Sequence, residues 1–469
     1  MSKFHSNVSR RDFMKALGLT GAGLGAVAAA TAPVFHDMDE VLSTPDTEWK
    51  NPWWIKDKEH EKPTVEVDWD VYPGSAGRDT AWNDQQIANT MAIVEKEYGT
   101  TDLDILEARW AQQNVPGMSL RDRALENAAN CCNSGLKSSW KPVSLEELGV
   151  PKWQGSPEEN LHMMRVASRF FGSYASGAAE LNDKTLRVIK AGRGPTPMNV
   201  VYTDTGVFKK TSTEVTIPNG WNYAFTWVMQ HPQLALSTSP GEVTNPYGYF
   251  FCTNTAARIR AFIQNLGYSQ AEPTVGTGAF PTLTGVTEMT RQGANVIVPS
   301  HGAMPRRTET ALTNLPLAYS PPIDSGIYKF CHTCKKCAET CITGSISMED
   351  EPSWEVRDKY QNIPGLKHFY FNYASCGSWK SAYGPGYCGM CLSTCVFRNF
   401  NESMVHPLIQ SVAATTPIFN GFFRQMDDVF GFRTNQMGSK AHTEDDTIGQ
   451  FWRTIGPEHG LLTHFGSHE

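Results

Sequence analysis

The stretch that decides the fold is CHTCKKCAETC, residues 331–341, in which four cysteines follow a C-x2-C-x2-C-x3-C spacing. A later stretch, CGMCLSTC at residues 388–395, repeats part of this pattern and follows an isolated Cys376. Three closely spaced thiolates can bind one [4Fe–4S] cluster, whereas the fourth cysteine of such a run ligates the neighbouring cluster. The spacing therefore predicts two clusters, with the ligand sets Cys331, Cys334, Cys337 and Cys395 (cluster 1) and Cys341, Cys376, Cys388 and Cys391 (cluster 2).

Zinc is the alternative metal for these cysteines, because structural zinc sites also use C-x2-C pairs. Zinc does not account for the four-cysteine run, and the clusters are the preferred interpretation. The remaining cysteines are the adjacent Cys131 and Cys132 and the isolated Cys252. We expect these three to be buried structural thiols. A chain with two such clusters transfers electrons.

Length and composition are typical of a globular protein with two or three structural units. The chain has 469 residues, of which 40% are hydrophobic and 19% are charged. Its formal net charge of −7 argues against a general nucleic-acid binder, because Lys and Arg must be in excess to neutralise phosphates. We therefore expect no nucleic acid among its partners.

The N-terminus has the features of an export signal. Arg10 and Arg11 stand in the sequence SRRDFMK, before a weakly apolar, Gly/Ala-rich stretch and a small-residue site at residues 30–32. Such a segment is a twin-arginine signal and is set aside in reasoning about the fold. Twin-arginine export carries folded proteins, so metal cofactors can be inserted before translocation. We expect residues 1–32 to be a signal peptide and the mature protein to be peripheral on the outer face of the cytoplasmic membrane.

Periodicity and capping residues predict several elements in the rest of the chain. A helix is predicted from Pro157 to Phe171, a strand over Tyr223–Met229, and a helix capped by Thr253 that ends before Gly267. A weaker helical pattern occurs near residues 84–98, and another covers Val405–Val412. The stretch 421–423 is expected to form an aromatic turn, and residues 277–302 to form loop and short strand.

These patterns divide the chain into five regions. We expect a signal peptide at 1–32, an irregular region at 33–155, an α/β core at 156–325, a cysteine domain at 326–400 and a C-terminal segment packing on the core at 401–469. Within the cysteine domain, Lys335 and Lys336 are expected to be solvated charges, and His332 is not expected to be a ligand.

Several motifs together resemble the corrinoid- and iron–sulfur-dependent reductive dehalogenases of organohalide-respiring bacteria, and the tail resembles the chloroethene-reducing members. The resemblance covers the signal and most of the chain from about residue 150 onward. It is carried by the Arg10–Arg11 signal, LGY at 266–268, TEMTR at 287–291, LTNLPL at 312–317, PIDSG at 322–326, both cysteine runs, and the tail from Val405–His406 to GFF at 421–423.

The resemblance implies a fold and a set of cofactors. The fold would be of the mixed α/β (α+β) class, a nitroreductase-like corrinoid-binding core with an inserted ferredoxin-like domain holding two [4Fe–4S] clusters. The second cofactor would be a cobalt corrinoid of the cobalamin type, bound with its lower base detached. Cluster 2 would be the one nearer to the corrinoid, and cluster 1 would face the external electron donor.

The resemblance also implies catalytic residues. The family's proton donor is a tyrosine upstream of the helix that ends in LGY, and the matching position is Tyr249, with Tyr247 as the nearby competitor. A phenol is a weak acid unless a cation stabilises the phenolate. The family's arginine for that purpose matches Arg306 best, with Arg307 one residue away.

Two further residues of the TEMTR motif are candidates by the same resemblance. Glu288 and Arg291 would position the corrinoid loop or the arginine beside the proton donor, or would form a simple ion pair.

The expected function is that of an exported oxidoreductase which removes chloride from small chlorinated organics, such as chlorinated ethenes or ethanes, in anaerobic organohalide respiration. Its partners would be a small membrane anchor protein and an external low-potential electron donor. One alternative is an epoxyqueuosine-reductase-like corrinoid enzyme, which the export signal and the acidic charge oppose. The other is a ferredoxin-type electron-transfer subunit, which would leave most of the α/β chain unexplained.

Overall fold

A computed structural model describes residues 51–72, 91–118, 141–190, 199–299, 305–357, 362–382, 388–398, 405–429 and 451–453, with gaps of one or two residues inside some of these ranges. The predicted signal peptide and the cysteines 131 and 132 lie outside the described residues. Within the described ranges, no helix is long and apolar enough to cross a membrane.

The described elements are mixed helices and strands. The strands are β1 (Lys56–Asp57), β2 (Ala175–Glu180), β3 (Ile189–Lys190), β4 (Asn199–Thr203), β5 (Lys209–Lys210), β6 (Glu214–Pro218), β7 (Tyr223–Gln230), β8 (Gln270–Ala271), β9 (Thr274–Val275), β10 (Glu288–Met289), β11 (Val296–Ile297), β12 (Pro305–Thr313) and β13 (Ile323–Asp324). The helices are α1 (Leu103–Gln112), α2 (Leu145–Leu148), α3 (Pro157–Phe170), α4 (Pro246–Asn265), α5 (Ala279–Leu283), α6 (Ile327–Cys334), α7 (Lys336–Thr340), α8 (Tyr373–Ala382), α9 (Met390–Ser393), α10 (Val405–Thr415) and α11 (Asn420–Val429).

The central sheet has the order β2–β7–β12–β8, and all of its neighbouring strands are antiparallel. In the register of β7 and β12, Trp227 lies opposite Glu309, and a β-bulge separates Pro305 from Thr308. The bulge lies at the start of β12, where two arginines follow each other. Because bulges re-aim side chains, simple alternation does not fix where those arginines point.

Helices α3 and α4 pack on one face of this sheet through a core that includes Met164, Phe225, Trp227 and Ile259. The start of α3 follows from a capping box, in which Ser156 and Glu159 satisfy each other's backbone N–H groups, with proline in the first turn. This confirms the predicted helix. Its neighbour α4 ends as predicted before a positive-φ glycine, but it begins at Pro246, seven residues before the predicted cap.

A second sheet, β4–β6–β5, adds a parallel pair between β4 and β6. Its buried residues Val215 and Ile217 join a core with Ala224, Phe280 and Leu312 from the region of the central sheet. The predicted strand over 223–229 is confirmed as β7, and the loop over 277–302 contains the unpredicted helix α5.

The cysteine region forms its own group of short helices, α6 to α9, against which the C-terminal helices pack. Phe330 of α6, Leu392 of α9, Val412 of α10 and Phe423 of α11 share one buried cluster, which also contains Ile297. The helix predicted over 405–412 is confirmed as α10. The aromatic turn predicted at 421–423 is wrong, because those residues lie inside α11.

The described C-terminal residues therefore divide their contacts between two regions. Helices α10 and α11 pack mainly on the cysteine helices, whereas Phe451 packs against Ala235 and Val243 of the core region. The mixed α/β class expected from the sequence is what the structure shows.

Candidate functional site

The eight cysteines of the two runs occur on or beside the short helices. Cys331 and Cys334 lie on α6, Cys337 on α7 and Cys391 on α9, while the others lie on α8 or in the adjoining loops. Gly326 and Gly389, both with positive φ, directly precede α6 and α9. Glycine adopts this conformation without steric cost and so permits a sharp turn at the start of each helix. None of the eight forms a disulfide with another described cysteine.

The structure brings together the four cysteines assigned to cluster 1. The thiol of Cys337 interacts electrostatically with Cys331, Cys334 and Cys395, and also with Cys391 of the other set. Burial raises the pKa of Cys334 to about 11 and that of Cys395 to about 12, and it raises the pKa of Cys331 and Cys337 as well. Four converging thiols that resist ionisation suit a positively charged metal centre, which supplies the charge needed to deprotonate them.

Three of the four cysteines assigned to cluster 2 share one apolar group. Cys341, Cys376 and Cys391 pack around Ile346 and Phe371, and Cys337 of the first set belongs to the same group. The fourth, Cys388, packs instead with an adjoining cluster that contains a tryptophan of α8. Among the described residues, no three His, Cys, Asp or Glu side chains lie close enough to hold a single metal ion. Because Cys337 interacts with Cys391 and belongs to the same apolar group, the two cysteine sets are adjacent.

Arg291 lies beneath the first cysteine run. It is 1% exposed, and its guanidinium donates to the carbonyls of Cys331 (2.8 Å) and His332 (3.2 Å). It also donates to the carbonyls of Ser347 and Glu349, each at 2.7 Å. Its contacts are thus with the cysteine segment and the loop that follows it.

Glu288 anchors the start of the same cysteine helix. Its carboxyl group accepts hydrogen bonds from the backbone N–H and the hydroxyl of Ser325 and from the backbone N–H of Tyr328. Complete burial raises the pKa of Glu288 to about 7, although these hydrogen bonds favour the ionised form. The ion pair considered for Glu288 and Arg291 is wrong, because both side chains bond to the cysteine segment; their corrinoid role stays a prediction.

The residues after Arg291 contact the second cysteine run. Gln292 donates to the carbonyl of Cys391 at 2.7 Å, while its own side-chain oxygen is buried without a hydrogen-bond partner among the described residues. Gly293 has a φ of +67° and lies so close to Phe371 that a Cβ would come within 2.9 Å of its Cβ. One turn therefore contacts both cysteine runs.

The lysines inside the first run differ in their surroundings. Lys335 binds Asp350 at 2.5 Å at the surface, but Lys336 is buried and bonds to Asp427 and, at 3.0 Å, to Asp428 of α11. The expectation that Lys336 is a solvated charge is wrong. Its ion pairs fasten the C-terminal helix to the cysteine loop.

Tyr249 lies in the first turns of α4, not upstream of that helix. The guanidinium carbon of Arg307 lies 5.1 Å from the centre of its ring, and Arg307 also bonds to Glu309 at 3.2 Å. The thiol of Cys252 donates to the same carboxylate at 3.2 Å. Burial lowers the pKa of Arg307, but its electrostatic interactions, chiefly with Glu309, outweigh that effect, so the pKa lies above its ordinary value.

The arginine predicted for this site, Arg306, belongs to β12, but its side chain lies outside the described residues, as does that of Tyr247. The structure thus places the alternative, Arg307, at the ring of Tyr249, and the prediction for Arg306 stays a prediction. Sequence reasoning missed Glu309 and Cys252 as neighbours. A carboxylate two residues from Arg307 on a strand was the available signal for Glu309.

A buried hydrogen-bond donor that lacks a partner among the described residues lies beside Glu309. Trp227 pairs with Glu309 across the sheet, so the two side chains project from the same face. The indole N–H of Trp227 is buried and has no hydrogen-bond partner among the described residues. Such a donor needs an explanation, and a bound ligand is one.

The chain is similar over nearly its whole length to two curated proteins. The chain is 30% identical over 539 residues to the chloroethene reductive dehalogenase of Dehalococcoides mccartyi strain VS, covering 98% of this chain and 99% of that protein. It is 29% identical to the trichloroethene reductive dehalogenase of another strain of that species, covering 92% and 95%. A shorter match, 27% identical over 62% of this chain and 60% of the relative, is to the tetrachloroethene reductive dehalogenase of Sulfurospirillum multivorans. No family model matches the chain.

Solved structures show the same fold at lower sequence identity. The catabolic reductive dehalogenase NpRdhA matches with a TM-score of 0.52 and 17% identity over 80% of this chain and 48% of that chain. A reductive dehalogenase whose structure suggests a mechanism for B12-dependent dehalogenation matches with the same TM-score over 81% and 50%. The chain spans about half the length of these solved chains.

Proposed function

This chain belongs to the reductive dehalogenase family, whose members are oxidoreductases, and we propose from that premise that it removes chloride from small chlorinated organics in anaerobic respiration. Chlorinated ethenes, and ethanes of similar size, are the proposed substrates. The names of the chloroethene, trichloroethene and tetrachloroethene reductive dehalogenases support this substrate class. The single observation that carries the proposal is the match to the chloroethene reductive dehalogenase of strain VS, which covers nearly the whole length of both proteins.

The reaction needs two electrons and one proton for each carbon–chlorine bond. The bond breaks, chloride leaves with the bonding electron pair, and the incoming electrons and proton form a carbon–hydrogen bond. The chain must therefore supply a path for electrons, a site for the substrate and a proton donor. The electron path and the proton donor each have candidate side chains among the described residues.

Two [4Fe–4S] clusters are the proposed electron path, with the ligand sets given by the sequence. The convergence of Cys331, Cys334, Cys337 and Cys395 supports the first set, and the apolar grouping of Cys341, Cys376 and Cys391 supports the second. Cys337 interacts electrostatically with Cys391 and belongs to the same apolar group, which supports transfer from one cluster to the other. By resemblance, cluster 1 would face the external donor and receive its electrons.

A corrinoid is the proposed second cofactor, and when bound it would supply the low-potential cobalt chemistry needed for reductive cleavage of a carbon–chlorine bond. The indole N–H of Trp227 beside Glu309 and the side-chain oxygen of Gln292 beside Cys391 have no partner within the described ranges, and both fit a ligand that bears amide side chains. These two residues are the ones we propose to hold it. A nitroreductase-like core and a ferredoxin-like insert remain part of the proposal.

Tyr249 is the proposed proton donor. A guanidinium over a phenol ring stabilises the negative charge that develops on its oxygen as the proton leaves. The guanidinium of Arg307 lies over the Tyr249 ring, and Arg307 also forms an ion pair with Glu309. The Tyr249→Phe variant should keep its iron and corrinoid but lose about 100-fold or more in turnover, the usual contribution of a positioned acid.

A matched control is Tyr319→Phe, which removes a hydroxyl from a half-exposed tyrosine whose ring contacts His60. Full activity in Tyr249→Phe would remove the assignment. Arg306→Gln and Arg307→Gln, made in parallel, separate the two arginines, because only the one that stabilises the phenolate should reproduce the loss.

Export by the twin-arginine pathway, peripheral placement at the outer face of the cytoplasmic membrane, a small membrane anchor protein and an external low-potential donor complete the proposal. The Arg10–Arg11 motif supports the first of these.

The decisive experiment is metal and corrinoid analysis of anaerobically purified protein, followed by chloride release from chlorinated ethenes, ethanes and aromatics under a strong reductant. Iron, cobalt and chloride release from a chloroethene are expected. Zinc without iron or cobalt would overturn the proposal, whereas iron without cobalt would point to an electron-transfer subunit. Iron and cobalt without chloride release would point to a different corrinoid enzyme.

A further inference from the structure

The charge of Arg291 is unusual for its depth. Arg291 is nearly inaccessible to solvent, and its guanidinium carbon lies over the ring of Phe369, 3.9 Å from the ring centre. Its hydrogen bonds go to neutral carbonyl groups, among them those of Cys331 and His332. A buried charge is costly unless an opposite charge lies nearby.

No carboxylate in the described part of the chain forms an ion pair with Arg291. Asp350 interacts with it electrostatically, but that side chain is 81% exposed and is bound to Lys335. The other buried cations of this region are compensated differently, because both Lys336 and Arg398 interact with the buried Asp427. In the described part of the chain, the charge of Arg291 therefore lacks a counter-ion of comparable depth.

The ionisable groups that interact most strongly with Arg291 are proposed ligands of cluster 1. Burial lowers the pKa of Arg291, whereas its interactions with Cys331, Cys337 and Cys334 oppose that effect. Four thiolates outweigh the positive charge of an iron–sulfur core, so the ligated cluster is an anion. Such an anion would provide the counter-charge that the carboxylates do not.

We propose that Arg291 is a positioning residue that holds the first cysteine loop and whose buried charge makes cluster 1 easier to reduce. Its hydrogen bonds to the carbonyls of Cys331 and His332 fix the loop, and its positive charge favours the reduced cluster, which carries one more negative charge. The inference rests on the clusters of the proposed function. It adds a specific role, which is to make cluster 1 a good acceptor for the incoming electron.

The test compares Arg291→Gln, which removes the charge and keeps some hydrogen-bonding capacity, with Arg291→Lys, which keeps the charge and loses the planar fork. The matched control is Arg357→Gln, which removes an exposed arginine of the same region that pairs with Glu355. Each protein is purified anaerobically with both cofactors and measured for iron content. The midpoint potential of each cluster is then determined by redox titration monitored by electron paramagnetic resonance.

We expect Arg291→Gln to lower the equilibrium constant for reduction of cluster 1 by at least tenfold, about 59 mV for one electron, and to leave cluster 2 nearly unchanged. Arg357→Gln should leave both potentials unchanged, because solvent and salt screen an exposed charge. Arg291→Lys should keep that equilibrium constant within about threefold of the native value, which its retained charge requires.

An unshifted potential in Arg291→Gln overturns the inference. If that variant assembles no cluster, Arg291→Lys decides, and a tenfold or larger shift in the lysine variant refutes the electrostatic role. Unmodified protein that contains no iron refutes the proposed function itself, so the two failures are distinguishable.

Discussion

Replacing Gly326 with alanine should weaken the attachment of the first cysteine helix to the C-terminal helices. Gly326 precedes α6 with a φ of +78°, a conformation that alanine adopts only under strain. A Cβ at this position would lie 2.4 Å from the Cα of Ala414 and 3.0 Å from the carbonyl oxygen of Ala413. Both neighbours are backbone atoms of α10, so the helices must move apart.

The magnitude has two parts. The left-handed conformation costs an alanine about 1–2 kcal/mol, and forcing two packed backbones apart costs about 1–3 kcal/mol more. Gly344 provides a matched control, because it has a φ of +58° and nothing within 4 Å of the Cβ position. Gly344→Ala should therefore show only the first part, about 1–2 kcal/mol.

The assay is the rate at which cluster absorbance disappears in denaturant under anaerobic conditions, with equal iron content at the start. Loss of clusters is irreversible, so a rate is the appropriate measure of stability. Gly326→Ala should lose its clusters at least about fivefold faster than Gly344→Ala, which corresponds to the lower limit of the packing cost. Equal rates in the two variants would contradict the predicted steric conflict with α10.

Three further results are expected. Burial raises the pKa of Glu288 to about 7 from 4.5, so the stability that the protonated side chain contributes is present below about pH 4.5 and is lost as the pH rises through 7, by up to about 3 kcal/mol. The denaturation midpoint should therefore fall less between pH 5 and 8 in Glu288→Gln than in the native protein. An equal fall in both proteins would exclude Glu288 as the cause. Lys336→Met leaves Asp427 buried without its lysine and should cost about 3–5 kcal/mol, measured as faster cluster loss in denaturant. Lys335→Met, which breaks the pair with the exposed Asp350, should cost at most about 1 kcal/mol, and equal rates in the two variants would argue against the buried pair. Cys252→Ala should keep the full iron content, whereas Cys331→Ala should lose iron, and equal loss in both would contradict the ligand assignment.

Local signals in the sequence predicted much of the secondary structure. Ser156 and Glu159 act within a few residues of each other, and the start of α3 was therefore predictable. The start of α4 was missed because Thr253 is a plausible cap, although Pro246 at the first helical position was the better signal. The helix α11 was missed because Gly421 suggested a turn, while Phe423 is buried by tertiary packing on α6.

The candidate site was predictable only where spacing along the chain determines it. The cysteine runs converge because their ligands are close in sequence. The contact of Arg307 with Tyr249 depends on how β12 lies against α4 and on a bulge before Thr308. Burial of Lys336 depends on α11, about ninety residues away, and no local pattern predicts it.

The turn at residues 291–293 limits how the electron-transfer part of this protein can be cut out as a separate fragment. A fragment that began at residue 326 would contain every proposed iron ligand but would lack Glu288, Arg291 and Gln292, which bond to Tyr328, Cys331 and Cys391 respectively. A stand-alone miniature electron carrier made from this chain would have to begin before β10. The iron-binding segment and the strand pair β10–β11 would then be inherited as one unit.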